Sequence, residues 1–310
     1  MTTAPSLLNT LVRTLALVTL YLFAIRKFTK QVEQLEGEHL RGALMRLTST
    51  PTRGLLLGFI FSALVQSGSA TIIALQSLVG VGLLTFASSV AIVLGANLGS
   101  RLSIQLIAWK LTYVAAYLMI AGVLIGRVKS HWSRYGKPIF YFGLTFLALS
   151  LISIAVAPLQ SDTRVIDFLS GISSLPLAFL VGLVVTVLFQ NSSVITSLAI
   201  VLATQGLFSF DQCIGLLLGA GLGSTSTVLF AALSAPLATR RVAISHVLFN
   251  ALSLLLAVPI LGSIFSIAQN LGGGVAQQSV NAYLIFSLAS ALVFFIFLKP
   301  FTALVNRLVR

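Results

Sequence analysis

Residues 54–80 read GLLLGFIFSALVQSGSATIIALQSLVG. The stretch is apolar at both ends and polar in the middle, where Gln66-Ser67-Gly68-Ser69 interrupts it. Each half is about 12 residues, or ~18 Å of helix, too short for a hydrocarbon core of ~30 Å. The segment therefore predicts two half-helices that enter and leave on one side, a re-entrant hairpin. A second interrupted run, 177–205, breaks in the same way at Gln190-Asn191-Ser192-Ser193.

The whole chain is built for hydrocarbon. Of 310 residues, 57% are hydrophobic and 8% charged, against ~25% charged in a soluble domain. A soluble globule of this length could not hide that much apolar surface. Disorder, a coiled coil and a disulfide scaffold are excluded as well. The single cysteine, Cys213, lies in an apolar run and reads as packing. The net charge of +13 would suggest nucleic acid in a soluble protein. In a membrane protein it reports topology instead, and no nucleic-acid partner is expected.

Apolar length gives the remaining elements. A first span covers 7–26, with no small-residue cleavage site after it, so an uncleaved span is expected. Residues 27–53 are polar and predict an interfacial amphipathic helix. Residues 83–126 would make ~65 Å of helix and so must be two spans, turning near Lys110. A basic loop at 127–137 leads to a span at 138–158, and the polar segment 159–176 precedes the second hairpin. Spans at 207–233, 242–265 and 281–300 complete the chain. The expected fold is an all-α polytopic membrane protein with about seven full spans and two hairpins.

The two interrupted segments are copies. A shift of 124 residues places Gln66 on Gln190 and Ser69 on Ser193, and Leu94-Gly95-Ala96 on Leu218-Gly219-Ala220. Across 54–101 and 178–225, 15 of 48 positions are identical without a gap. The matches include Gln, Ser and several Gly, which a merely apolar background does not supply. Three crossings separate the copies, an odd number, so the second is predicted to be upside down. The expected units are a first repeat at 1–137, an inverted repeat at 138–265 and an extra C-terminal span within 266–310. Inverted repeats with helices interrupted at matching places point to a secondary transporter.

The basic residues test that topology. With seven spans, segments 27–53, 127–137, 234–241 and 299–310, with Arg26 at the edge of the first, share one face and hold 15 of the 19 Lys and Arg. Basic loops mark the cytoplasm. The N-terminus is therefore expected outside and the C-terminus inside.

Each hairpin brings half-helix ends to a Ser-rich tip. Helix N-termini offer free N–H groups and partial positive charge, which suit an anion, and Ser hydroxyls add neutral donors. The opposite helix ends offer carbonyl oxygens, which suit a hard cation such as Na⁺. The implied cargo is a small oxygen-rich anion with a cation beside it.

At these residues the chain resembles the sodium/phosphate cotransporter type II family. Gln66-Ser67-Gly68-Ser69-Ala70-Thr71 and Gln190-Asn191-Ser192-Ser193 resemble its paired Gln-Ser-Ser-Ser motifs. Gly95-Ala96-Asn97-Leu98-Gly99 and Gly219-Ala220-Gly221-Leu222-Gly223 resemble its Gly-Ala-Asn-Ile-Gly motifs, and Ser245-His246-Val247-Leu248-Phe249-Asn250 its Ala-His-x-x-Phe-Asn segment. The resemblance covers about 54–250. It implies Na⁺-coupled symport of inorganic phosphate by alternating access across a bacterial inner membrane, with both tips forming the site. Phosphate is then expected at Ser67, Gly68, Ser69, Asn191, Ser192, Ser193 and Arg101. Na⁺ is expected at Gln66, Thr71, Asn97, Gln190, Thr196, Ser224 and Thr225. No cofactor is implied beyond Na⁺ as coupling ion, and homo-oligomers are compatible with the pattern. Four positions depart from the family: Gly68, Asn191, Gly221 and Arg101, the last standing where a Thr is usual. Another small oxyanion on the same fold is the alternative cargo. Bacterial members often carry a soluble PhoU-like tail, which is not expected in a chain ending at Arg310.

Single polar residues carry two readings each. Arg101, inside an apolar run, either partners the anion or snorkels to an interface. His246 either contributes proton sensitivity or is a bonded core histidine. Asp211 either caps the helix that starts beside it, which is the expectation, or serves as a Na⁺ ligand. An intramembrane serine protease using Ser69 and His246 is a further class, but it has no use for a second Ser motif.

Overall fold

A computed structural model describes residues 7–47, 50–108, 114–172 and 174–309. The described residues are helical throughout, joined by short turns. The first half comprises α1 (Leu7–Leu47), α2 (Pro51–Val65), α3 (Gly68–Gly80), α4 (Phe86–Ala108), α5 (Ala115–Arg127) and α6 (Gly136–Val156). The second comprises α7 (Thr163–Ser170), α8 (Leu175–Phe189), α9 (Ser192–Thr204), α10 (Phe210–Gly223), α11 (Thr225–Ala231) and α12 (Leu237–Ala257). It is followed by α13 (Leu261–Asn270), α14 (Val275–Ile296) and α15 (Leu298–Leu308). Among the described residues, six helical stretches are long and apolar enough to cross a membrane: Leu7–Val32, Phe86–Ala108, His131–Ser161, Phe210–Ala231, Leu237–Asn270 and Val275–Ile296.

The interrupted segments fold as broken helix pairs. Thr50 accepts a hydrogen bond from the Arg53 amide and Pro51 opens α2. Ser174 likewise accepts from the Leu177 amide to start α8, with Pro176 in its first turn. Both helices end on a glutamine in the left-handed region, Gln66 at φ 57°, ψ 27° and Gln190 at φ 54°, ψ 28°. The next residue starts a new helix. The Ser67 side chain accepts from the Ala70 amide to cap α3, and Asn191 accepts from the Val194 amide to cap α9. A left-handed non-glycine costs roughly 1–2 kcal/mol, and a β-branched residue more. Gln66→Val is expected to melt at least ~1 kcal/mol less stably than Gln66→Gly, read as thermal midpoints in detergent.

The helix before each break packs backbone to backbone against the helix that follows the broken pair. α2 lies on α4 and α8 on α10. A Cβ on Gly95 would stand 1.9 Å from the Leu55 carbonyl oxygen, and one on Gly58 2.2 Å from that of Ile92. In the second pair a Cβ on Gly219 would stand 2.0 Å from the Phe179 oxygen. Small residues let membrane helices approach this closely. On its outer face α2 exposes Leu56, Ile60 and Leu64, and α8 exposes Leu180, Val184 and Leu188. Four-residue spacing makes each set one stripe, unsuited to water and suited to lipid tails.

Two expectations change, and a third falls partly outside the described residues. Residues 27–53 do not form a separate interfacial helix. α1 runs unbroken from Leu7 to Leu47, and 51–53 already belong to α2. Charges end an apolar span, but Lys, Gln and Glu are good helix formers and give no stop signal. The seventh expected span falls on α5, whose 13 residues follow a stretch, with the expected turn at Lys110, that lies outside the described residues. Asp211 is not the cap of α10. Ser209 is, in a capping box with Gln212. Asp211 sits exposed in the first turn, where its charge complements the helix dipole.

Candidate functional site

The N-terminal tips of α3 and α9 meet at one cavity, lined by Gly68 and Ser69 from the first and by Ser192 and Ser193 from the second. α4 contributes Asn97 and Arg101, and α1 contributes Tyr21. The cavity encloses about 580 Å³ including its open mouth. Beside it lies a wider open recess lined by Arg26, Lys30, Gln66, Ser67, Asn191 and Ser193. Gln66 and Ser193 border both spaces.

Arg101 dominates the cavity electrostatically. It is 8% exposed, so it does not snorkel. Its guanidinium lies over the Tyr283 ring, 4.6 Å from the centroid, and Nη1 donates to Ser100 Oγ at 3.1 Å. Among the described residues no Asp or Glu lines the cavity or pairs with this arginine. Arg101 Nε and the Tyr283 hydroxyl are buried without a hydrogen-bond partner among those residues. An uncompensated buried cation is costly, and an anion would remove that cost.

A polar network backs the cavity. Asn97 Oδ1 accepts from His246 Nε2 at 3.1 Å and from Asn250 Nδ2 at 3.2 Å, while Asn97 Nδ2 donates to the Val93 carbonyl at 2.9 Å. Both lone pairs of the Asn97 oxygen are thereby used. The Asn97 amide orientation makes His246 Nε2 the protonated nitrogen. Asn250 also donates to the His246 carbonyl at 2.9 Å. His246 is thus a bonded core histidine, 1% exposed, that also reaches the cavity wall. On the other wall the Tyr21 hydroxyl bonds Ser197 Oγ at 2.7 Å.

The structure brings most of the expected residues together. Gln66, Gly68, Ser69, Asn97, Arg101, Ser192, Ser193, Thr196 and Ser224 line the cavity. Ser67 and Asn191 spend their side chains as helix caps and border the outer recess instead. Thr71 is buried and donates to the Ser67 carbonyl at 2.8 Å, away from the cavity. Gln190 donates to Ser226 Oγ at 3.1 Å and to the Val187 carbonyl. Thr225 donates to the Leu222 carbonyl at 2.7 Å. Ser69 Oγ donates to the Ser224 carbonyl at 3.3 Å, so hydroxyl and imidazole are engaged elsewhere and form no nucleophile–base pair.

Among the wall residues that no sequence motif marks are Tyr21 and Tyr283. Both are tyrosines within apolar spans, and a buried tyrosine hydroxyl needs a partner; that is the signal that could have found them. Tyr283 comes from α14, which packs against α4 and α10, so the C-terminal span builds part of the site.

Broken helices that converge on a polar cavity in an all-helical membrane protein are a feature of membrane transporters. The chain belongs to the Na⁺/Pi-cotransporter family, whose description matches residues 20–154 and 162–297. It is a member of a transporter family, not an enzyme family. Relatives include YqeW of Bacillus subtilis (strain 168), 28% identical over 298 residues, 95% of each chain. YjbB of Escherichia coli (strain K12), provisionally named an inorganic phosphate export protein, is 28% identical over 304 residues, 97% of this chain and 56% of that one. The sodium-dependent phosphate transport protein 2B of Mus musculus is 35% identical over 130 residues, 41% of this chain and 18% of that one. No solved structure matches the chain.

Proposed function

We propose that the protein is a Na⁺-coupled carrier of inorganic phosphate that works by alternating access. The observation that carries this reading is Arg101, a buried cation without a carboxylate partner among the described residues, facing a cavity of serine hydroxyls. Phosphate oxygens bind Ser69, Ser192, Ser193 and Arg101, with the Gly68 backbone at the tip of α3. Ser67 and Asn191 act one step out, holding the first turns of α3 and α9 in place. Na⁺ is assigned to carbonyl and side-chain oxygens near Gln66, Thr196 and Ser224. Thr71, Asn97, Gln190 and Thr225 support those groups through the bonds they already make.

The two broken pairs are read as re-entrant hairpins of two inverted copies, 1–137 and 138–265. The matching left-handed glutamines and matching glycine contacts 124 residues apart support this. The membrane is the bacterial inner membrane. The basic loops support a cytoplasmic C-terminus and an external N-terminus. The net direction of flux follows the gradients, and relatives named for sodium-dependent transport and for export fit one reversible carrier.

Labelled phosphate uptake into proteoliposomes under an imposed Na⁺ gradient tests the reading. Uptake is expected to rise with inward Na⁺, and arsenate is expected to compete better than carboxylates. Absence of Na⁺-stimulated uptake or exchange would overturn it.

A further inference from the structure

The two copies differ where they matter most for charge. By the 124-residue shift, Asn97 corresponds to Gly221 and Arg101 to Thr225. The first copy therefore carries an amide and a guanidinium where the second carries a hydrogen atom and a hydroxyl. The structure shows what the missing side chain makes room for. A Cβ on Gly221 would stand 2.3 Å from the Tyr283 hydroxyl oxygen and 3.1 Å from Arg101 Nη2. Arg101 thus leaves α4 of the first copy and seats its guanidinium against α10 of the second, over the Tyr283 ring. The counterpart of the Asn97 network cannot form there, because that volume is taken.

We propose that the Arg101 guanidinium, seated over Gly221 against Tyr283, is a resident counter-cation that takes the place of one mobile coupling cation. The inference rests on the proposed phosphate transport and sharpens its ion coupling. An oxyanion entering a low-dielectric cavity needs positive charge beside it. A Na⁺ ion supplies that charge only when it binds, so anion affinity then depends on Na⁺ concentration through reciprocal linkage. A tethered guanidinium is present at every Na⁺ concentration. It loses little freedom on meeting the anion, because Tyr283 and Ser100 already fix it. The anion's dependence on Na⁺ is accordingly shallower than in a site where every positive charge must come from solution.

The test is equilibrium binding of labelled phosphate to the purified full chain, titrated with Na⁺ at constant ionic strength with choline. The wild type is expected to keep measurable phosphate binding when choline replaces all Na⁺. Arg101→Thr, which installs the residue of the second copy, is expected to weaken that Na⁺-free binding by at least ~30-fold, the scale for deleting one partner of a buried charge pair. Its binding should recover with Na⁺ along a steeper curve. Arg101→Lys keeps the charge without the fork and is expected to keep the shallow wild-type curve at lower affinity.

An Arg101→Thr protein with the wild-type Na⁺ curve overturns the proposal while leaving phosphate transport standing. So does a wild type that binds phosphate only with Na⁺, along a curve as steep as that variant's. A wild type that binds no phosphate at any Na⁺ concentration overturns both readings together. The wild-type titration decides the matter even where the threonine variant does not fold.

Discussion

Gly95→Ala is expected to remove most folded protein from the membrane, and Gly219→Ala to do the same. One methyl group is added in each case, but it meets backbone. The new Cβ would lie 1.9 Å from the Leu55 oxygen in the first variant and 2.0 Å from the Phe179 oxygen in the second. Ordinary carbon contacts are ~3.5–4.0 Å, so the paired helices must part by more than ~1 Å. A side chain could rotate away; a carbonyl held in a helix cannot. Overpacking costs ~1–3 kcal/mol and more where the backbone must shift, and these sites belong at or above that upper end. Gly262→Ala is the control, since a Cβ there meets nothing within 4 Å. Size-exclusion profiles in detergent and thermal midpoints check the contrast. A Gly95→Ala protein with a wild-type melting point would show that the α2–α4 contact is looser than described.

Asn97→Leu is expected to be the most damaging single change in the polar interior. The leucine fills similar space but deletes the acceptor shared by His246 Nε2 and Asn250 Nδ2. His246 and Asn250 are 1% and 8% exposed, so water does not replace it. Each buried donor left unsatisfied costs ~1–3 kcal/mol, and a network tends to fail as a unit. Adding His246→Phe removes one stranded donor, so the double variant should lose less than the sum of the singles. Thermal unfolding of the two singles and the double gives the coupling directly. Additive losses would mean that the hydrogen bonds contribute nothing jointly.

The broken pairs were legible because polarity interrupts apolarity there, and a short apolar run has few other uses in a membrane. Gln66 and Gln190 were visible as matching positions, but their left-handed backbone was not, since sequence seldom marks αL without glycine or asparagine. The glycine matches read as family motifs; in the structure Gly58, Gly95 and Gly219 are contact points between helices. Charge at Arg26 reads as the end of the first span, yet α1 continues to Leu47. Hydropathy reports where lipid stops, whereas helices stop at caps and breakers. Ser209 rather than Asp211 caps α10 because the capping box needs Gln212 three residues on. Tyr21 and Tyr283 escaped notice because each sits alone in an apolar helix, and only tertiary packing brings them to Arg101 and Ser197.

α1 has a mechanical consequence. Its 41 residues form one rod ~60 Å long, with Tyr21 in the cavity wall, Ile25 on the partition, and Arg26 and Lys30 at the rim of the outer recess. Tyr21 and Lys30 are ~14 Å apart along the axis, with no glycine or proline between them to act as a hinge. Such a rod behaves as a lever: a tilt that swings the rim carries the Tyr21–Ser197 latch with it. The doorway and the inner bolt therefore move in one stroke.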